Sequence, residues 1–154
     1  ERIDRILEAI ECLVKTYSDH KFVIPVHPNP NVKCKVYSKL GEYDNVHLLK
    51  PLDYPYLVYL MKNAKLILTD SGGIQEEAPS FGCPTLVMRY ETERQEGIDA
   101  GVSVLVGADY DKIVSLSSEI LSKDRVDTRL TAQNPYGVGD SAQNIEQIID
   151  KYFS

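Results

Sequence analysis

The sequence predicts an α/β domain, a Rossmann-like doubly wound parallel sheet of about five or six strands. Three observations predict it. Short runs rich in Val, Ile and Leu recur at 22–26, 45–49, 66–69, 84–88 and 102–106, and segments of helical periodicity separate them. The runs are also apolar with little alternation, as strands covered on both faces must be. Right-handed crossovers then place helices on both sides of the sheet.

The elements follow in order. Residues 2–17 form a helix, because Ile3, Ile6, Leu7, Ile10, Leu13 and Val14 make one apolar stripe. Phe22 to Val26 is the first strand, ending at His27 in the loop HPNPN. A short helix over 32–39 closes at Gly41, NVHLL (45–49) is the second strand, and a helix over 54–61 leads to the third strand at 66–69. Gly73 to Ser80 reads as a helix, 84–88 as the fourth strand, Glu93 to Ala100 as a short helix and Val102 to Val106 as the fifth strand. Helices over 110–122, 124–132 and 141–152 finish the chain, the last with Ile145, Ile148, Ile149 and Tyr152 on one stripe. No repeat or linker interrupts the pattern, so residues 1–154 read as one domain.

The bulk properties exclude several classes. A net charge of −6 argues against a nucleic-acid groove or a basic membrane face. It leaves phosphate binding open, since backbone N–H groups at a helix start can hold an anion. Cys12, Cys34 and Cys83 are far apart, and neither they nor His20, His27 and His47 show metal-ligand spacing. No metal site is expected, and a reducing, cytoplasmic setting is. No apolar run reaches membrane-spanning length. The chain begins at Glu1 inside a helical pattern, which suggests a portion of a longer protein.

In such sheets ligands bind beyond the carboxyl ends of the strands. There, Thr69-Asp70-Ser71-Gly72-Gly73 joins a strand to a helix. Two glycines allow close approach and unusual φ, and the Ser71 hydroxyl with the first free N–H groups can converge on a phosphate. Glu77, one turn deeper on the same face, can accept from two vicinal hydroxyls such as a ribose presents. A tight turn with an N-cap, Glu77 solvated, explains the same residues equally well, and Glu76 reads as solvated. In the loop after the fourth strand, Arg94 or Arg89 suits a diphosphate or a facing domain; an exposed, salt-bridged helix start capped by Thr92 is the simpler reading. His27 stands where a ligand contact would, although a lone strand-end His is more often structural. Asn134 to Asp140 is turn chemistry, a plain loop or a hinge. GxGxxG, GxxxxGK[ST] and GxSxG are all absent.

Taken together, VIPVHPNPNV (23–32), LILTDSGGIQEEAP (66–79), GCPTLVMRYETER (82–94) and NPYG (134–137) resemble the non-hydrolysing UDP-N-acetylglucosamine 2-epimerases, in order and spacing, over nearly the whole chain. The resemblance implies one lobe, the C-terminal one, of a GT-B-like two-domain enzyme. It implies that Ser71, Gly72 and Gly73 contact the diphosphate of UDP, Glu77 the ribose and the backbone near Leu57 the uracil, with Arg94 aiding. His27 matches a histidine associated with a second, regulatory UDP-sugar in the cleft. The implied reaction interconverts UDP-N-acetylglucosamine and UDP-N-acetylmannosamine by elimination and re-addition of UDP, without cofactor or obligatory metal. Its acid/base carboxylates belong to an N-terminal lobe, so no catalytic residue is expected in this chain, and the isolated domain is expected to be inactive. The implied partners are UDP or a UDP-N-acetylhexosamine, the N-terminal domain and a second subunit of a homodimer, with no nucleic acid or membrane. Gln95 departs from a common Pro, and Tyr90-Glu91 from the usual Asp-Thr. A hydrolysing 2-epimerase, a GT-B glycosyltransferase and a stand-alone nucleotide-binding module are the alternatives.

Overall fold

In the computed structural model, residues 2–123 and 134–153 are described; the helix expected over 124–132 lies outside them. The elements run α1 (Arg2–Thr16), β1 (Phe22–Pro25), α2 (Pro30–Leu40), β2 (Val46–Leu49), α3 (Tyr54–Asn63) and β3 (Ile67–Thr69). They continue with α4 (Gly72–Glu77), a 3₁₀ turn (Ala78–Phe81), β4 (Thr85–Val87), α5 (Gln95–Asp99), β5 (Ser103–Leu105), α6 (Tyr110–Leu121) and α7 (Ser141–Phe153).

All five strands pair in parallel, as expected, but the ladder divides: β1 pairs with β2, and β3–β4–β5 form a separate three-stranded sheet. Strands of three or four residues offer few ladder bonds, and packing under α1 joins the two parts instead. Ala9 and Leu13 of α1 share a core with Leu86, Val106 and Ile113, against which Phe22 of β1 and Leu68 of β3 also pack. Leu7, one turn away, packs with Val26, Val36 and Leu40, covering the β1–β2 pair. One amphipathic helix thus serves both sheets. Leu86 faces α1 and α6, while its strand neighbours Thr85 and Val87, which the pleat turns the other way, are equally buried. That two-sided cover is what the near-continuous apolar strands anticipate.

Two boundaries differ for identifiable reasons. Helix α2 starts two residues early because the Asn29 side chain accepts from Asn31 N–H at 2.9 Å and Pro30 takes the first helical position. Helix α4 yields to a 3₁₀ turn that ends at Gly82, whose φ of 59° is left-handed. In α7 the expected stripe forms, yet Ile145, Ile148, Ile149 and Tyr152 stay exposed. Among the described residues, no helix is long and apolar enough to cross a membrane.

Candidate functional site

The site is built at the carboxyl ends of β3 and β4. Thr69, buried at the end of β3, uses its hydroxyl oxygen to accept from Ser71 N–H at 3.1 Å, turning the chain out of the strand. Ser71 then holds the cap position of α4 in extended conformation, and its side chain makes no capping bond. The first ladder bond runs from Gln75 N–H to Ser71 O, at 3.3 Å. The N–H groups of Gly72, Gly73 and Ile74 therefore precede the ladder, beside an exposed hydroxyl. This is a donor set suited to an anion.

The unusual φ expected of the glycines is not there. Neither Gly72 nor Gly73 has positive φ. What Gly72 supplies is lateral room: a Cβ there would stand 3.1 Å from Arg94 Cζ, so the guanidinium lies against the opening turn of α4. Gly73 is open, with only Glu77 Oε1 and Ser71 Oγ as near as 4.0 Å to where its Cβ would be.

Arg94 is placed by its neighbours. Its Nε donates to Glu76 Oε1 at 2.8 Å, and its Nη1 lies 3.5 Å from Glu93 Oε2. The hydrogen bond to Glu76 raises the guanidinium pKa further. Glu76, expected to be solvated, keeps 43% of its side chain exposed and is an ion-pair partner as well. Arg89 reaches the same Glu93 Oε2 at 3.0 Å, so one carboxylate stands between the two arginines; a hydrogen bond to its own backbone and then the Arg89 charge lower the Glu93 pKa. The expected Thr92 cap is also displaced. Arg94 occupies the cap position of α5, while the Thr92 hydroxyl accepts from Arg94 N–H at 3.1 Å and donates to Gln75 Oε1 at 2.7 Å. Gln75, 1% exposed, donates its Nε2 to Ser71 O at 3.2 Å. One buried amide thus locks the loop after β4 to the loop after β3.

Two more segments arrive from a distance. The Tyr54 hydroxyl, at the start of α3, donates to Glu77 Oε2 at 2.6 Å, and this bond raises the Tyr54 pKa. It brings the first turn of α3, with Leu57 three residues on, beside Glu77; Leu57 N–H is committed to Asp53 O at 3.2 Å. From the other side, Asn134 Nδ2 donates to Glu76 O and Ser80 Oγ, and Tyr136 bonds to both Arg94 and Gly97. Sequence reasoning missed Gln75, Thr92, Glu76, Tyr54 and Tyr136 as parts of this network. Gln75, Glu76, Thr92 and Tyr136 stood in the motifs at 66–79, 82–94 and 134–137 without these contacts assigned, and Tyr54 carried no signal.

His27 stays apart. Its Nδ1 accepts from Asn29 N–H at 3.2 Å, tying the ring to its own loop, and among the described residues no hydrogen bond connects it with the Arg94 network. Among the described residues no group of three His, Cys, Asp or Glu side chains could hold a metal ion.

The model of the UDP-N-acetylglucosamine 2-epimerase family matches residues 1–150. A probable UDP-N-acetylglucosamine 2-epimerase of Ralstonia nicotianae is 46% identical over 152 residues, which is 98% of this chain and 40% of the relative. The crystal structure of the UDP-GlcNAc 2-epimerase of Neisseria meningitidis bound to UDP-GlcNAc superposes with a TM-score of 0.87 at 42% identity, covering 97% of this chain and 40% of that one. A co-structure of S. aureus MnaA with UDP gives 0.90 at 37% identity, covering 99% and 42%. The chain thus spans about two fifths of the length of the proteins it matches.

Proposed function

The chain belongs to the UDP-N-acetylglucosamine 2-epimerase family, and on that premise we propose that residues 1–154 are the C-terminal, UDP-binding domain of a longer epimerase. The observation that carries the reading is the Arg94 guanidinium laid against Gly72, beside the N–H groups that open α4. A diphosphate there meets the Ser71 hydroxyl, the N–H groups of Gly72 and Gly73 and one fixed positive charge. Glu77 lies one turn along and takes the ribose hydroxyls. The exposed Tyr54 hydroxyl bonds one oxygen of its carboxylate. Uracil then lies against the backbone near Leu57. His27 is left as a contact of the cleft or of a second, regulatory UDP-sugar.

In the parent protein this site retains the leaving group during reaction. Loss of the C2 proton and cleavage of the bond from C1 to the UDP oxygen leave a C1–C2 double bond and free UDP. Protonation of C2 from the other face and return of UDP to C1 complete the inversion. The C2 proton is not acidic, so its removal is coupled to the departure of UDP, and the reading places the carboxylates that act on it in an N-terminal lobe. UDP that escaped would end the sequence at the unsaturated sugar, hence a cradle tied at several points. A homodimeric parent in the cytoplasm, where thiols such as Cys34 stay reduced, goes with this reading.

Calorimetric titration with UDP tests it. Ser71→Ala and Glu77→Ala should each weaken UDP binding by about tenfold, the scale of one charge-assisted hydrogen bond. UDP affinity unchanged in both variants would contradict the assignment.

A further inference from the structure

Arg94 stands at the cap position of α5 and cannot cap it. A guanidinium carries only donors, and the Arg94 side chain makes no capping bond. The N–H groups of the first helical turn then lack the acceptor that Ser, Thr or Asp would supply. At α5 that acceptor comes from 39 residues away. Gly97, third in the helix, donates to the Tyr136 hydroxyl at 2.9 Å, while its bond to Arg94 O is longer, 3.3 Å. The same hydroxyl donates to Arg94 O at 3.0 Å. A single phenol oxygen therefore closes the turn from both ends.

The fit depends on a buried glycine. A Cβ on Gly97 would stand 2.7 Å from the Tyr136 oxygen. Tyr136 is in turn held by Asn134, whose Oδ1 accepts from Tyr136 N–H at 3.0 Å. Asn134 also donates from Nδ2 to Glu76 O at 3.0 Å and Ser80 Oγ at 2.7 Å. One turn of chain thus grips both members of the Arg94–Glu76 pair by their backbones.

We propose that Tyr136 is a positioning residue for Arg94: by capping α5 from outside, it frees position 94 for an arginine and fixes the guanidinium over Gly72. The inference rests on the proposed contact between Arg94 and the diphosphate, and it names the group that sets that contact.

A double-mutant cycle on the 154-residue chain tests it, with Tyr136→Phe, Arg94→Ala and the double variant titrated with UDP and with uridine. Tyr136→Phe keeps the ring and removes only the hydroxyl. It should weaken UDP binding by about three- to tenfold, leave uridine binding unchanged, and add nothing once Arg94 is alanine. Gly97→Ala, which displaces the phenol while retaining it, should reproduce the UDP-selective loss. Additive losses, an equal loss for uridine, or UDP affinity unaffected by Tyr136→Phe would each overturn the inference alone. If Arg94→Ala itself left UDP affinity unchanged, the proposed diphosphate contact would fail, and the inference with it.

Discussion

The side chains of the loop after β1 bond within that loop, whereas those of the loops after β3 and β4 bond to each other and to segments far along the chain. Around His27 the side-chain hydrogen bonds are Asn29 N–H to the ring and Asn31 N–H to Asn29, each spanning two residues. Around Arg94 they reach 17 residues to Gln75, 18 to Glu76 and 42 to Tyr136, and Tyr54 closes on Glu77 across 23. The β1–β2 part has long-range polar contacts too, but they lie on the helical side: Lys35 on Asp4, and Lys39 and Tyr43 on Glu11. One part of the molecule spends its polar groups on joining helices. The other spends them on holding a set of donors in place, and preorganised donors are what a bound anion requires.

Three changes would break or sharpen this contrast. The largest effect is expected from Leu86→Ala, at the centre of β4 and 2% exposed beneath α1 and α6. It should cost about 2–5 kcal/mol of stability. Thermal unfolding should show it as a lower Tm, and UDP affinity at a temperature where the variant is folded should fall as well, because β4 carries the Arg94 loop. Loss of stability without loss of affinity would mean that the site does not depend on this strand.

A smaller effect is expected on the helical side. Hydrogen bonds from Lys39, then Lys15 and Tyr43, lower the Glu11 pKa from 4.5 to about 2. A depressed folded-state pKa contributes stability above the unfolded value and loses it as pH falls towards the folded one. The contribution is therefore complete above about pH 5 and is lost on acidification towards about pH 2. Urea unfolding of Glu11→Gln across that range should show lower stability at pH 7 and a shallower acid decline than wild type, with UDP binding at pH 7 unaltered. A parallel decline in both proteins would contradict the assignment of this acid sensitivity to Glu11. The smallest effect is expected from His27→Ala, which should change UDP affinity of this chain by less than about twofold, the loop being self-contained. A tenfold change would place His27 in the UDP site and dissolve the contrast.

The scaffold was far more legible in the sequence than the network. Apolar periodicity reports burial directly, so α1, α6 and all five strands could be placed from Leu7, Leu13, Leu86 and Ile113 and their neighbours. Asn29-Pro30 carries the true start of α2 as a local signal, a capping side chain followed by proline, which the expected start at residue 32 overlooked. The roles of Glu76, Thr92 and Tyr136 could not be read this way. Each depends on which residue of a distant loop stands opposite it, and a single sequence holds no record of that. Gly72 shows the limit most clearly. The sequence marks it as special, but the reason, the flank of a guanidinium rather than an unusual φ, exists only once the chain is folded.

The central claim is that this chain holds the nucleotide and lacks the groups that act on the sugar. A proton NMR time course of the 154-residue chain with UDP-N-acetylglucosamine in deuterated buffer reads both halves of it. The uracil and ribose signals should broaden on addition of protein, while the C2 proton persists and no UDP-N-acetylmannosamine signal appears. Exchange at C2, or nucleotide signals that stay sharp at millimolar protein, would contradict it.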